Sequence, residues 1–159
     1  MRHFISTLLV SLVVCSCAND KKPIIERGIY FWESATGSFS NAEYLKLFEV
    51  EFDEQLGAIP ISKTNLYWYS DLDSLHIIPC VYIQNKVFSE IKSTEMEEFA
   101  DNTVFLISKK MEELDSQAMP FSEIQIDCDW TPSTKENYFK FLEIFRKKIN
   151  VKLSCTLRL

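Results

Sequence analysis

Two carboxylates one residue apart, Asp127 and Asp129, lie in the run Glu123-Ile-Gln-Ile-Asp-Cys-Asp-Trp130, directly before Thr131-Pro-Ser-Thr-Lys-Glu136. Read as a strand, the run puts Ile124, Ile126 and Cys128 on one face and Gln125, Asp127 and Asp129 on the other. Two carboxyl groups on one face offer acid–base or nucleophilic chemistry, one giving a proton while the other takes one or attacks. Positions i and i+2 of a strand stand roughly 6.5 Å apart at Cα, which is compatible with such a pair. A helical pattern opens immediately afterwards. The C-terminal end of a strand that feeds a helix is where a parallel α/β protein keeps its chemistry.

The elements that must position these acids follow from periodicity. Strand-like runs occur at 29–33, 44–52, within 75–88, at 123–129 and at 153–159. Thr94-Glu-Met-Glu97 and Ser133-Thr-Lys-Glu136 have the capping-box pattern of a helix start. The first is followed by Phe99, Thr103, Ile107, Met111 and Leu114 on one helical face, with a break expected near Asp101-Asn102. The second is followed by the stripe Tyr138, Phe141, Leu142, Phe145 and Ile149. Lys147 and Lys148 near the end of that segment suit the negative pole of a helix dipole.

Strands alternating with helices predict βαβ units, a parallel sheet and right-handed crossovers. The expected fold class is α/β, a partial (β/α) barrel of about five mostly parallel strands with helices on the outer face. Two stretches resist the pattern. Residues 34–43 are too few for a crossover helix, and 54–74 hold Pro60 and Leu66-Tyr-Trp-Tyr69 with room for at most a short helix. A closed eight-stranded barrel takes about 250 residues, whereas this chain has 159 and reaches Leu159 within a strand-like run. The expectation is therefore a truncated barrel, or one that closes differently.

In such a barrel, Phe48, Val50, Phe52 and the two isoleucines face the helices. Glu49, Glu51, Gln125, Asp127 and Asp129 line the interior, with Glu33 at the end of the first strand and Arg158 beside the acids. The implied site is a carboxylate-rich bowl with one guanidinium.

The chain carries a formal net charge of −6, and no Lys/Arg stripe interleaves with its aromatics. Nucleic acid is therefore not an expected partner. Cys80, Cys128 and Cys155 each sit in an apolar strand-like run and read as small buried hydrophobes. No CxxC, HExxH or His cluster occurs, so His76 has no companions for a zinc site. No EF-hand-like spacing supports Ca²⁺ at the acids. No metal or cofactor is expected.

Arg2 and His3 precede an apolar run, Phe4 to Val14, with the length of a signal-peptide core and too short to span a bilayer. It ends in Val14-Cys15-Ser16-Cys17, which resembles the lipobox of bacterial lipoproteins. That resemblance implies a signal peptide over 1–16, lipid (palmitate-type acyl chains) on Cys17, a tether to residue 27 and a barrel domain over 28–159. Ala18 after the cysteine resembles outer-membrane sorting, so the expected location is the outer membrane, lipid-anchored in the bilayer rather than threaded through it.

A second resemblance rests on Tyr30-Phe-Trp32, Lys46-Leu-Phe-Glu-Val-Glu51, Ile78-Pro-Cys-Val-Tyr-Ile83 with Asn85, and Ile124-Gln-Ile-Asp-Cys-Asp-Trp130. These are similar to an uncharacterised group of bacterial lipoproteins with a glycoside-hydrolase-like TIM barrel, a domain of unknown function. The resemblance covers the first half or so of that barrel and implies no mechanism.

Three readings follow. In glycoside hydrolysis, one carboxyl is the acid and another the nucleophile or base; candidates are Asp127, Asp129, Glu49 and Glu51, with Glu33, Trp130, Arg158 and Asn85 binding substrate. Chitinase-like hydrolases carry Asp-x-Asp-x-Glu at this strand, and Thr131 stands where that glutamate would be. In non-catalytic glycan binding, Trp32, Trp68 and Trp130 stack on sugar rings while the acids accept hydroxyl hydrogen bonds. In the structural reading, the acids cap the following loop and helix or pair with Arg158 and Lys46. Open half-barrel edges would favour self-association.

Overall fold

The computed structural model describes residues 30–31, 44–61, 63–64, 77–113 and 121–157. Among these residues six strands and three helices follow in chain order: β1 (Tyr30–Phe31), β2 (Tyr44–Asp53), β3 (Gly57–Ile61), β4 (Ile78–Ile83), α1 (Asn85–Glu90), α2 (Met96–Glu112), β5 (Glu123–Asp127), α3 (Lys135–Lys148) and β6 (Lys152–Cys155). The sheet runs β1-β2-β4-β5-β6, every neighbouring pair parallel, with β3 antiparallel on β2. The fold is mixed α/β with a mostly parallel sheet.

β3 corrects the sequence reading, which left 54–74 without a strand. The Asp53 carboxylate accepts the N–H groups of Gln55 (2.8 Å) and Leu56 (2.9 Å), folding the turn. Gly57 then takes φ 76°, a conformation open to glycine at little steric cost. Pro60 pairs with Val50 on β2. It lacks the N–H that a central strand would need, so its place is on a flanking strand.

The helical segments match the periodicity but not the capping expectations. α2 runs unbroken through Asp101-Asn102 and starts at Met96, with Glu95 rather than Thr94 as its N-cap; α3 starts after Thr134. No side chain caps either helix. The Ser133 hydroxyl instead meets that of Thr131 at 2.9 Å. The short helix α1 was not foreseen, because six residues carry too little periodicity to register. Leu114 lies outside the described residues.

Phe99, Thr103, Ile107 and Met111 of α2, and Tyr138, Phe141, Leu142 and Phe145 of α3 with Ile149 behind it, are all buried. α2 and α3 pack side by side and α1 touches α3. An aromatic cluster fills the junction: Phe88 lies 5.3 Å from Tyr138 and 5.6 Å from Phe141, which is itself 4.9 Å from Phe99. Lys148 lies in the last turn of α3 with Lys147, as expected, and also bridges the two helices, reaching Glu97 (2.9 Å) and Asp101 (2.7 Å).

Register assigns the two faces of the sheet. Residues paired side by side share a face, so Val50, Ile83, Val81, Ile126 and Cys155 form the layer under the helices. Lys46, Cys80, Gln125 and Ser154 form a row on the opposite face, with Glu49, Tyr82 and Asp127 a row above it. Phe48 and Val50 point toward the helices while Glu49 and Glu51 point away, as alternation requires.

A β-bulge lies between Lys46 and Phe48. It adds Leu47 to β2, so that Lys46 and Glu49 fall on one face and form an ion pair at 2.5 Å. The carbonyls at the bulge find partners in buried Thr64, whose hydroxyl donates to Lys46 O (2.6 Å) and whose N–H donates to Leu47 O (2.9 Å).

The face that no described helix covers curls inward. Tyr30 on β1 donates its hydroxyl to Gln125 Oε1 on β5 at 2.9 Å. Three strand spacings separate β1 from β5, about 14 Å across a flat sheet. Side chains standing upright on a flat sheet would not close that gap, so the sheet must curl toward them. Gln125 and Glu123 are buried although no described helix covers their face.

Candidate functional site at the C-terminal edge of the open face

β4 and β5 each deliver one polar side chain to the rim where they end. Tyr82 and Asp127 are register partners. β5 stops at Asp127, and Cys128 to Trp130 continue as loop before α3. Asp129 therefore leaves the strand, yet the Tyr82 hydroxyl still reaches its Oδ2 at 3.3 Å. Asp127 accepts a hydrogen bond from the Thr156 hydroxyl just beyond β6. The two acids thus lie at one edge, linked by a tyrosine on one side and a threonine on the other.

Their environments differ. Asp127 is half-buried and Asp129 exposed. Burial holds the Asp127 carboxyl above its ordinary range; the Thr156 hydrogen bond opposes this, and the Asp129 charge adds to the rise. The Tyr82 phenol is pushed up to about 12, first by burial and then by Asp129. It stays protonated near neutral pH and acts as a donor. The edge thus offers a carboxyl that holds a proton more tightly than usual, an exposed carboxyl and a phenol.

Glu49 and Glu51 lie on the same face, one strand further away. Glu49 is held by Lys46, half-buried in an ion pair. Lower on the face, Glu123 is buried and paired with Lys152 at 2.6 Å. Tyr30 and Tyr44 stack at 4.5 Å between ring centroids.

Two residues read as substrate contacts have other attachments. The Asn85 side-chain oxygen accepts the Thr134 hydroxyl at 2.5 Å, tying the start of α1 to the loop that leads into α3. Trp130 packs on α3, its ring 5.7 Å from Phe139 and 6.4 Å from Tyr138, with the Lys135 ammonium 5.9 Å from its centre. Its indole Nε1 is buried without a hydrogen-bond partner. Thr131, at the position of a chitinase-type glutamate, joins the hydroxyl cluster with Ser133 and Thr134.

Glu33, Arg158, Trp32, Trp68, His76 and the leader with Cys17 lie outside the described residues. Sequence reasoning missed Tyr82, Thr156 and Tyr30 as members of this face. Tyr82 had a legible signal: it follows Cys80 by two in a strand whose other face is Val81 and Ile83.

Cys80 and Cys128 are buried and Cys155 half-buried, and all three are free thiols. Burial pushes the Cys128 thiol up to about 12 and Cys80 in the same direction, so neither is a ready thiolate. Cys80 departs from the apolar reading, since its Sγ lies on the open face 3.7 Å from Gln125 Oε1. Among the described residues no group of three His, Cys, Asp or Glu could hold a metal ion, and no helix is long and apolar enough to cross a membrane. No family model, curated protein or solved structure matches the chain.

Proposed function

We propose that this chain is a lipid-anchored, glycan-binding protein built on a partial (β/α) barrel, its ligand seated at the rim made by Tyr82, Asp127, Asp129 and Thr156. The observation that carries the reading is the pairing of phenol and hydroxyl donors with carboxylate acceptors on one edge of a concave face. A polyhydroxylated ligand presents both donors and acceptors and can engage both kinds of group. The Tyr30–Gln125 bond supports barrel-like curvature, and the sequential order of parallel strands is the order a barrel uses.

Binding ranks above hydrolysis because Thr131 replaces the expected acid and its hydroxyl is engaged with neighbouring hydroxyls. Calorimetry of the full chain against a panel of soluble oligosaccharides tests this. A binder in the panel should lose about tenfold in affinity, roughly 1.4 kcal/mol, on Tyr82→Phe or Asp129→Asn. Equal affinity in both variants would remove the rim from the reading.

Hydrolysis keeps one specific support, the raised proton affinity of Asp127, which suits a general acid. Release of chromophore from aryl glycosides, abolished by Asp127→Asn, would favour it over binding alone.

Anchoring is proposed through an acyl chain on Cys17 in the outer membrane. Incorporation of labelled palmitate, lost in Cys17→Ser, together with separation of the two membranes by density, tests both parts. Self-association through the β6 edge belongs to the same reading and is measured by sedimentation.

A further inference from the structure

A second concavity lies away from that rim, between the β2–β3 turn and the helices α1 and α2, with a volume of about 400 Å³. Phe52 and Phe99 contribute apolar wall, and Ile91 adds to it. On the lip, Leu56 is 74% exposed, a large apolar side chain held out at the tip of a turn. The turn is pinned by the two Asp53 hydrogen bonds, so Leu56 is presented by a defined backbone.

Around this apolar interior the charge is one-sided. Glu54, Glu90, Glu95 and Glu98 line the groove, and Lys92 is the cation among its lining residues. Lys92 is already paired with Glu95 at 3.4 Å, which leaves the groove with an excess of negative charge. Apolar walls beneath a carboxylate rim match a segment that carries an apolar anchor between positive side chains.

We propose that this groove docks a basic segment of another protein, an aliphatic or aromatic side chain entering between Leu56 and Phe99 while flanking lysines or arginines meet the glutamates. A second copy of this chain is the poorer occupant, because each copy carries a net charge of −6 and the two would repel.

The test uses the full chain and a short fluorescein-labelled peptide with one phenylalanine flanked on both sides by lysines, followed by fluorescence anisotropy. The expected result is saturable binding that weakens with added salt. Glu90→Gln combined with Glu98→Gln should weaken it at least about tenfold, roughly 1.4 kcal/mol. Leu56→Ser should weaken it several-fold, and a peptide with serine in place of lysine should not bind. All the substituted residues are exposed, so the variants should keep the fold. Unchanged affinity in the double glutamine variant, equal binding of the serine peptide, or no saturation below about 1 mM would each overturn the proposal. A dimer abolished by the same variants would assign the groove to a second copy and overturn it too.

Discussion

The two faces of the sheet solve opposite problems with the same strands. Under the helices, Val81, Ile83 and Ile126 are fully buried against Val87, Phe88 and Phe141, and stability comes from apolar area removed from water. On the other face, Lys46–Glu49, Lys152–Glu123, Tyr30–Gln125 and Thr156–Asp127 are polar pairs in a half-covered environment. Such pairs contribute little net stability each, but they hold side chains in fixed positions. The helix-side face carries the fold, and the open face carries the arrangement.

Four substitutions would break or sharpen that contrast. Phe141→Ala removes a fully buried ring in contact with Phe88, Phe99 and Phe145. It should cost about 3–5 kcal/mol in urea denaturation; a loss under 1 kcal/mol would mean the aromatic cluster is not the core. Thr134→Val leaves Asn85 without its partner and removes the acceptor of the Thr131 N–H. A loss of about 1–3 kcal/mol by the same method is expected, and a neutral result would deny the clasp between α1 and the loop before α3.

Asp127→Asn tests the open face through pH. The Asp127 carboxyl is raised in the fold, so the folded chain holds that proton more tightly than the unfolded one. Its contribution to stability is fully present below the unfolded carboxylate range and is lost as pH rises through the folded value. The asparagine variant, which lacks this loss, should gain stability relative to wild type between acid and neutral pH. Parallel Tm–pH curves would contradict the burial argument. Tyr82→Phe should be the mildest, within about 0.5 kcal/mol, because its partner Asp129 is exposed; a larger loss would place the phenol in the structural framework.

The helix-side face was the more legible one from residues alone. Its apolar stripes on α2 and α3 have a period that survives any change of context, and each described residue of those stripes is buried. The missed features depend on pairings distant in sequence. β3 was obscured by Pro60, yet Asp53 with Gly57 four residues later is a turn signal that could have revealed it. Thr156 and Tyr30 join the open face only through register and curvature. The second capping box failed because Thr131, Ser133 and Thr134 satisfy one another, a competition among neighbouring hydroxyls that the four-residue pattern does not express.

The bulge at Leu47 gives β2 one residue more than the stretch of β4 beside it. Elsewhere in that strand, loss of a single codon would exchange the faces of everything on one side of the break, sending Glu49 and Glu51 toward the helices or Leu45 away from them. Removing Leu47 itself would leave both alternations in phase. The bulge is therefore the position at which this strand can change length, over generations, without turning its carboxylates inside out.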